Sequence, residues 1–339
     1  MWMLKCGGLI KDERWRKGWR KGVISKYLMN PNVGSYGGIT YHVAIKISSR
    51  QYRILMKLFS MNALKSWLIK YKEGDFMYTF NAKRTKNELV KWIRELFDCQ
   101  FEGKNCCVAL SGGKDSSIVA ALAVEALGKE RVKGLMLPQY TQVDIEDSIL
   151  CAETLGIDYK IMNIGDACRS IHEEANKQQL NVTEQARVNL PARIRMAALY
   201  FYAQCVNGIP SCNCNLSEDL IGYSTYGGDN IGGFAPLANL TVTEVRAIGR
   251  ELGLPVKLVE KTPSDGLCGK SDEENFGFTY DVLDHYIRTG EIEDKEVKAK
   301  IDELKMKNQF KVLDLATFYP SPYFIKGMNI TGYTDDLQK

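Results

Sequence analysis

The stretch Cys106-Cys107-Val108-Ala109-Leu110-Ser111-Gly112-Gly113-Lys114-Asp115-Ser116-Ser117, running on into Ile118-Val119-Ala120-Ala121-Leu122, constrains this chain more than any other. One apolar run stops at Leu110 and a second begins at Ile118. Between them two glycines permit backbone angles that a β-carbon forbids. The pattern predicts a buried strand, a tight turn and a helix that starts inside the turn. Ser116 and Ser117 fall in the first helical turn, where their hydroxyls are expected to cap free N–H groups. N–H donors gathered at the positive end of a helix form a site for phosphate. Asp115 lies in the same turn and would repel a bare phosphate, so it suits a phosphate-bound Mg²⁺. The spacing is not that of the Walker loop, G-x-x-x-x-G-K-[ST].

The surrounding chain alternates between helical and strand patterns. Thr85-Lys86-Asn87-Glu88 reads as a capping box, and Leu89, Trp92, Ile93, Leu96 and Phe97 behind it share one face of a helix. The helix after the Gly-Gly turn is expected to stop at Gly128, with a second strand over 132–137. A further helix precedes Gly156, and 159–164 reads as a third strand. The result is an α/β fold: a doubly wound parallel sheet with flanking helices, whose ligands bind beyond the C-terminal strand ends. Residues 111–117 sit at such an end. The segment 185–205 reads as a helix, with Arg187, Arg193 and Arg195 as phosphate or carboxylate clamps or simply a solvated face.

Composition narrows the partners. Lys plus Arg is 45 against 41 for Asp plus Glu, a net charge of +4, which gives no general case for nucleic acid. No apolar run reaches the ~20 residues of a membrane span. Ten cysteines lack disulfide-scaffold spacing and the N-terminus has no signal-peptide core, so a cytoplasmic location is expected. Residues 1–76 differ in pattern from the rest of the chain and read as an N-terminal extension of unknown role, with 77–339 as the functional domain. The extension carries a basic tandem, Trp15-Arg16-Lys17-Gly18 and Trp19-Arg20-Lys21-Gly22, and apolar residues of mixed spacing over 39–71.

The turn S-G-G-K-D-S-S resembles the pyrophosphate loop of the N-type ATP pyrophosphatases, the adenine nucleotide alpha hydrolase-like fold. The second half narrows the resemblance: Asn213-Cys214-Asn215-Leu216-Ser217-Glu218, Gly222-Tyr223-Ser224-Thr225, Gly228-Asp229, Pro236-Leu237, Leu240 to Arg246 and Lys261-Thr262-Pro263-Ser264-Asp265-Gly266-Leu267. In order and spacing, from about Phe80 to Phe318, they are similar to the NAD⁺ synthetase family. That likeness implies ATP-dependent amidation of deamido-NAD⁺ to NAD⁺ through an adenylate, with release of AMP and pyrophosphate. Residues 1–105 are too short for the nitrilase-like domain of glutamine-dependent members, so ammonia is the expected nitrogen donor. By the same likeness Ser111, Gly112, Gly113, Lys114, Asp115, Ser116, Ser117, Asn213 and Ser264 bind ATP. Asp115 and Glu218 are the catalytic Mg²⁺ carboxylates, and Arg193, Tyr226, Asp229 and Lys311 contact deamido-NAD⁺. A homodimer with small-molecule substrates and no membrane partner is implied. For Glu218 an alternative is a helix N-terminal carboxylate held by the dipole.

The chain also departs from that family. Tyr226 stands at a usual Lys, Gly233 at an Asp used for deamido-NAD⁺, and Val242 at a Lys that reaches ATP. Phe310 stands at the His of a His-Lys pair, of which only the Lys remains, as Lys311. Lys114, Lys261 and Lys270 are the cations available to compensate. The phosphate and metal half of the site is thus preserved and the dinucleotide half altered. Two other readings arise from this: an amidase of the same fold acting on a different carboxylate, or a nucleotide-binding paralogue without turnover. Cys212 and Cys214 also invite an RNA-thiolation reading, against which the motifs of 213–284 point.

Overall fold

The computed structural model describes residues 79–142, 144–261 and 272–313, with two short antiparallel strands, β1 (Ser25–Lys26) and β2 (Ile47–Ser48). The Trp-Arg-Lys-Gly tandem, the 39–71 pattern apart from β2, Ser264 and Lys270 lie outside the described residues.

The central sheet has four strands, β3 (Asn105–Ala109), β4 (Val132–Met136), β5 (Asp158–Ile161) and β6 (Gly208–Pro210). Their order is β5-β4-β3-β6 and every pair is parallel. The chain therefore winds outward from β3 in one direction and returns to pair β6 on its other side. The switch of direction lies between β3 and β6, where open α/β sheets place their ligands.

Helices cover both faces. On one side lie α1 (Ala82–Cys99) and α2 (Lys114–Leu127), with α3 (Ile145–Leu155) beside α2. On the other lie α4 (Gly165–Lys177) and α5 (Glu184–Cys205), the latter with Pro191 inside it. Alternate residues of β3 serve opposite cores: Cys106 and Val108 join Ile118, Leu122 and Ile248, whereas Cys107 joins Leu135, Ile164 and Leu199. This two-sided burial explains why the strand is an unbroken apolar run. Ile118 and Leu122 are fully buried, each burial worth about 1.5–3 kcal/mol. Burial also pushes the Cys107 thiol up to about 12, so it behaves as an inert apolar group.

The rest of the described chain is helical: α6 (Leu216–Ile221), α7 (Val242–Glu251), α8 (Val256–Val259), α9 (Asp272–Phe276), α10 (Tyr280–Thr289) and α11 (Lys295–Asn308). α7 and α8 pack on α2, and α6, α7, α10 and α11 enclose a third core of Ile221, Val242, Phe276, Tyr280, Leu283 and Ile301. Among the described residues no helix is long and apolar enough to cross a membrane.

Several expectations need correction. The first helix begins at Ala82, not after Thr85, because the Asn81 side chain accepts from the Arg84 N–H. Glu88, expected to reach back to a cap, instead pairs with Arg84 at 3.0 Å. Trp92 is 41% exposed, so Val90, Ile93 and Phe97 carry the buried face. The third strand ends at Ile161, and β6 has no counterpart in the sequence pattern.

Candidate active site

The turn after β3 is built as its residues demand. Gly112 has φ +76°, and a β-carbon there would come within 2.8 Å of the Asp144 carbonyl oxygen and 3.0 Å of Asp147 Cβ. Only glycine fits. Gly113 is the N-cap of α2, and no side chain caps that helix. The expectation for the serines is corrected here: the Ser116 and Ser117 hydroxyls donate back to the Gly113 carbonyl at 3.2 and 2.8 Å. Ser116 Oγ also accepts from the Ser111 N–H at 3.3 Å, and Ser111 Oγ from the Gly113 N–H at 3.3 Å. The hydroxyls thus brace the loop and leave the first N–H groups of α2 to an external anion.

α3 and the residues after α8 hold the loop from the side. Ser148 Oγ donates to the Leu110 carbonyl at 3.1 Å. Lys261 Nζ reaches Asp147 Oδ2 at 2.7 Å, Asp144 Oδ2 at 3.2 Å and the Gly112 carbonyl at 3.4 Å. Burial alone would raise the Asp147 pKa, but the Lys257 and Lys261 ammoniums hold it below the ordinary range. Of the compensating cations, Lys261 is therefore fixed beside the phosphate loop.

The second group of residues comes from α6 and the segment before it. Asn213 lies across the strand ends, donating from Nδ2 to the Ala109 carbonyl at 3.3 Å and accepting from Ser211 Oγ at 2.8 Å. Asn215 caps α6 in a reciprocal box with Glu218, whose N–H it accepts at 3.1 Å. Its Nδ2 donates to Asp115 Oδ1 at 3.3 Å. One buried asparagine thus ties both predicted metal carboxylates together. Burial, then the negative charge of Asp115, pushes the Glu218 carboxyl well above the usual range. Two half-buried carboxylates tied to one asparagine suit a hard divalent ion that also binds phosphate oxygens. Among the described residues no cluster of three or more His, Cys, Asp and Glu could hold a metal. The dipole reading of Glu218 also has its observation, since Oε2 accepts from the Asn215 N–H at 3.4 Å. The two roles coexist because a carboxylate has a second oxygen.

Lys114 does not face the loop mouth. Its side chain is 3% exposed, with Nζ 2.7 Å from Asp115 Oδ2 and 5.9 Å from the Tyr280 ring centroid.

The altered half forms a second cluster. Arg193 and Asn189, one turn apart on α5, grip the 222–230 loop: Arg193 Nε donates to the Tyr226 carbonyl at 3.2 Å, and Asn189 Oδ1 accepts from Thr225 Oγ1 at 3.1 Å. Asp229 Oδ1 accepts from the Thr225 N–H at 2.7 Å. Lys311 Nζ donates to the Gly222 and Ser224 carbonyls at 2.7 and 3.0 Å, and burial holds its pKa below the ordinary range. Tyr226 and Phe310 are both exposed and lie 5.7 Å apart, centroid to centroid. At Gly233 a β-carbon would fall 2.3 Å from Ile209 Cγ2, so this packing has no room for an aspartate. Val242 is fully buried in the third core. Of the other arginines, Arg195 Nε donates to the Leu137 carbonyl at 3.0 Å, whereas Arg187 only faces Glu184 across 3.9 Å of exposed surface.

The geometry therefore has a phosphate-accepting helix end, a half-buried carboxylate pair and a separate loop gripped by α5 and Lys311. A sequence model of the NAD synthase family matches residues 85–319. This chain belongs to the NAD synthase family. The NH(3)-dependent NAD(+) synthetase of Thermococcus sibiricus is 36% identical over 234 residues, 69% of this chain and 86% of that one. That of Pyrococcus horikoshii is 40% identical over 201 residues, 59% of this chain and 75% of that one. Among solved structures, NMN synthetase from Francisella tularensis superposes with a TM-score of 0.64 at 30% identity, covering 70% of this chain and 99% of that one. The NH3-dependent NAD synthetase from Campylobacter jejuni gives 0.56 at 28%, covering 70% and 100%. Within this NAD synthase fold, Lys261 was expected as a compensating cation, but sequence reasoning found neither its partners nor Asn215 as a tie of the site. Their partners lie 100 and 149 positions away, and no local signal marks such pairs.

Proposed function

We propose that this chain amidates deamido-NAD⁺ to NAD⁺, using ATP and ammonia and releasing AMP and pyrophosphate. The observation that carries the reading is the pairing of Asp115 and Glu218 through Asn215 beside the uncapped N-terminus of α2. A carboxylate is a poor electrophile, so its oxygen first attacks the α-phosphate and AMP becomes the leaving group. Ammonia then displaces AMP. The protein's task is positioning and charge neutralisation. The loop 111–117 and the first N–H groups of α2 hold the pyrophosphate portion, with Lys261 beside them. Asn213 meets the nucleotide at the strand ends, and by the family likeness Ser264 also binds ATP. Asp115 and Glu218 would hold a Mg²⁺, which would supply Lewis-acid neutralisation of phosphate charge. Arg193, Tyr226, Asp229 and Lys311 frame the carboxylate substrate. A homodimer with the substrate near the subunit interface completes the reading, and light scattering on purified protein tests it.

A second reading has its own observation. Tyr226 and Phe310 put exposed rings where the family usually has a Lys and a His, Gly233 excludes an acidic side chain, and the F. tularensis relative is named NMN synthetase. The corresponding mononucleotide would then be the carboxylate amidated. An equimolar mixture of deamido-NAD⁺ and that mononucleotide, supplied with ATP, Mg²⁺ and ammonium, separates the two. The first reading predicts that deamido-NAD⁺ is consumed first. Preferential loss of the mononucleotide would replace it with the second.

A further inference from the structure

Lys114 is a cation where two effects oppose one. It is the first residue of α2, at the positive end of the helix dipole, and its side chain is buried. The Asp115 carboxylate offsets both by pairing with it directly. The contacts are specific: Nζ bonds Asp115 Oδ2 at 2.7 Å and lies over the Tyr280 ring. The other Asp115 oxygen is taken by Asn215 Nδ2. A lysine ammonium is a compact point charge on a flexible stem, so it can stand where a small metal ion would and leave by rotation.

We propose that the Lys114 ammonium competes with the divalent ion for Asp115, the carboxylate that Asn215 ties to Glu218, so that metal is taken up only together with ATP. The inference rests on the reading of those carboxylates as metal ligands. The triphosphate gives the ion its remaining oxygen ligands and gives the displaced ammonium a new anionic partner. Lys114 is on this account a positioning residue whose effect is on the order of metal and nucleotide binding.

The test uses the full chain and Mn²⁺, with the free ion followed by electron paramagnetic resonance. Without nucleotide, Lys114→Met, which keeps the length of the stem, should bind Mn²⁺ at least tenfold more tightly than the unaltered protein. Adding Glu218→Gln to that variant should remove the gain. With a non-hydrolysable ATP analogue, the unaltered protein should take up Mn²⁺. Equal nucleotide-free affinity in the unaltered protein and Lys114→Met would overturn the role of Lys114. No uptake by the unaltered protein even with the analogue would overturn the metal-ligand reading itself, and with it this one. A measurement independent of any variant is the melting temperature of the unaltered protein. It should be unmoved by Mg²⁺ alone and raised by Mg²⁺ with the analogue, since only bound ligands stabilise the native state. A rise with Mg²⁺ alone contradicts the proposal.

Discussion

Asp115 and Glu218 are held in one space by Asn215, and their shared negative charge is what a phosphate-bound ion would relieve. Asp115→Asn and Glu218→Gln should each lower pyrophosphate release by about a hundredfold or more, the scale of losing one transition-state charge contact. Coupled phosphate detection measures it, and near-native turnover in both variants would remove these residues from the mechanism. The neighbouring Asp219 makes a different prediction. Burial, then the charge of Asp229, pushes its carboxyl up to about 6. Its unfolded pKa is about 3.9. The native state thus keeps a proton that the unfolded state loses, and Asp219's contribution falls as pH rises from about 4 to about 6. Asp219→Asn, which has no charge to bury, should melt above the unaltered protein at pH 8 and converge with it below about pH 4. An offset constant with pH would contradict this. At this scale the sequence marked Asp115 and Glu218 as candidates because they stand in local motifs. It did not show what touches them, because contacts such as Asn215 to Asp115 are made by the fold.

At the scale of elements, local chemistry was legible where one residue decides the outcome. α2 stops at Gly128 with φ +85°, and α3 at Gly156 with φ +63°, both where the glycines predicted. The start of α1 was not, because Asn81 and Thr85 compete to cap it within little more than one turn and Glu88 pairs with Arg84. β6 was invisible for a different reason. It is only Gly-Ile-Pro, and a β-carbon at Gly208 would meet Cys107 Sγ at 2.3 Å, so its place is set by the strand it joins. The Gly-Gly turn is the element with the sharpest test. Gly112→Ala must hold a left-handed backbone angle, costing about 1–2 kcal/mol, and must push back the Asp144 carbonyl. A lower melting temperature and a raised KM for ATP should appear together. Unchanged ATP binding would mean that the turn is not the phosphate cradle.

Across the molecule, the doubly wound order puts the switch between β3 and β6 beneath the loop, Asn213 and α6. The alternation of apolar runs and glycine-ended helices made the doubly wound parallel sheet readable from sequence, but not its β6 edge. The altered half of the site was less so, since Tyr226 and Phe310 are only a substitution pattern until folding sets their rings together. Gly233 is likewise explained by its packing on Ile209. The most direct measurement is one assay of the purified chain with ATP, Mg²⁺ and deamido-NAD⁺, supplied in parallel with ammonium or glutamine. The account predicts NAD⁺ and AMP in equal amounts with ammonium and none with glutamine. AMP without NAD⁺, or no product at all, would contradict it.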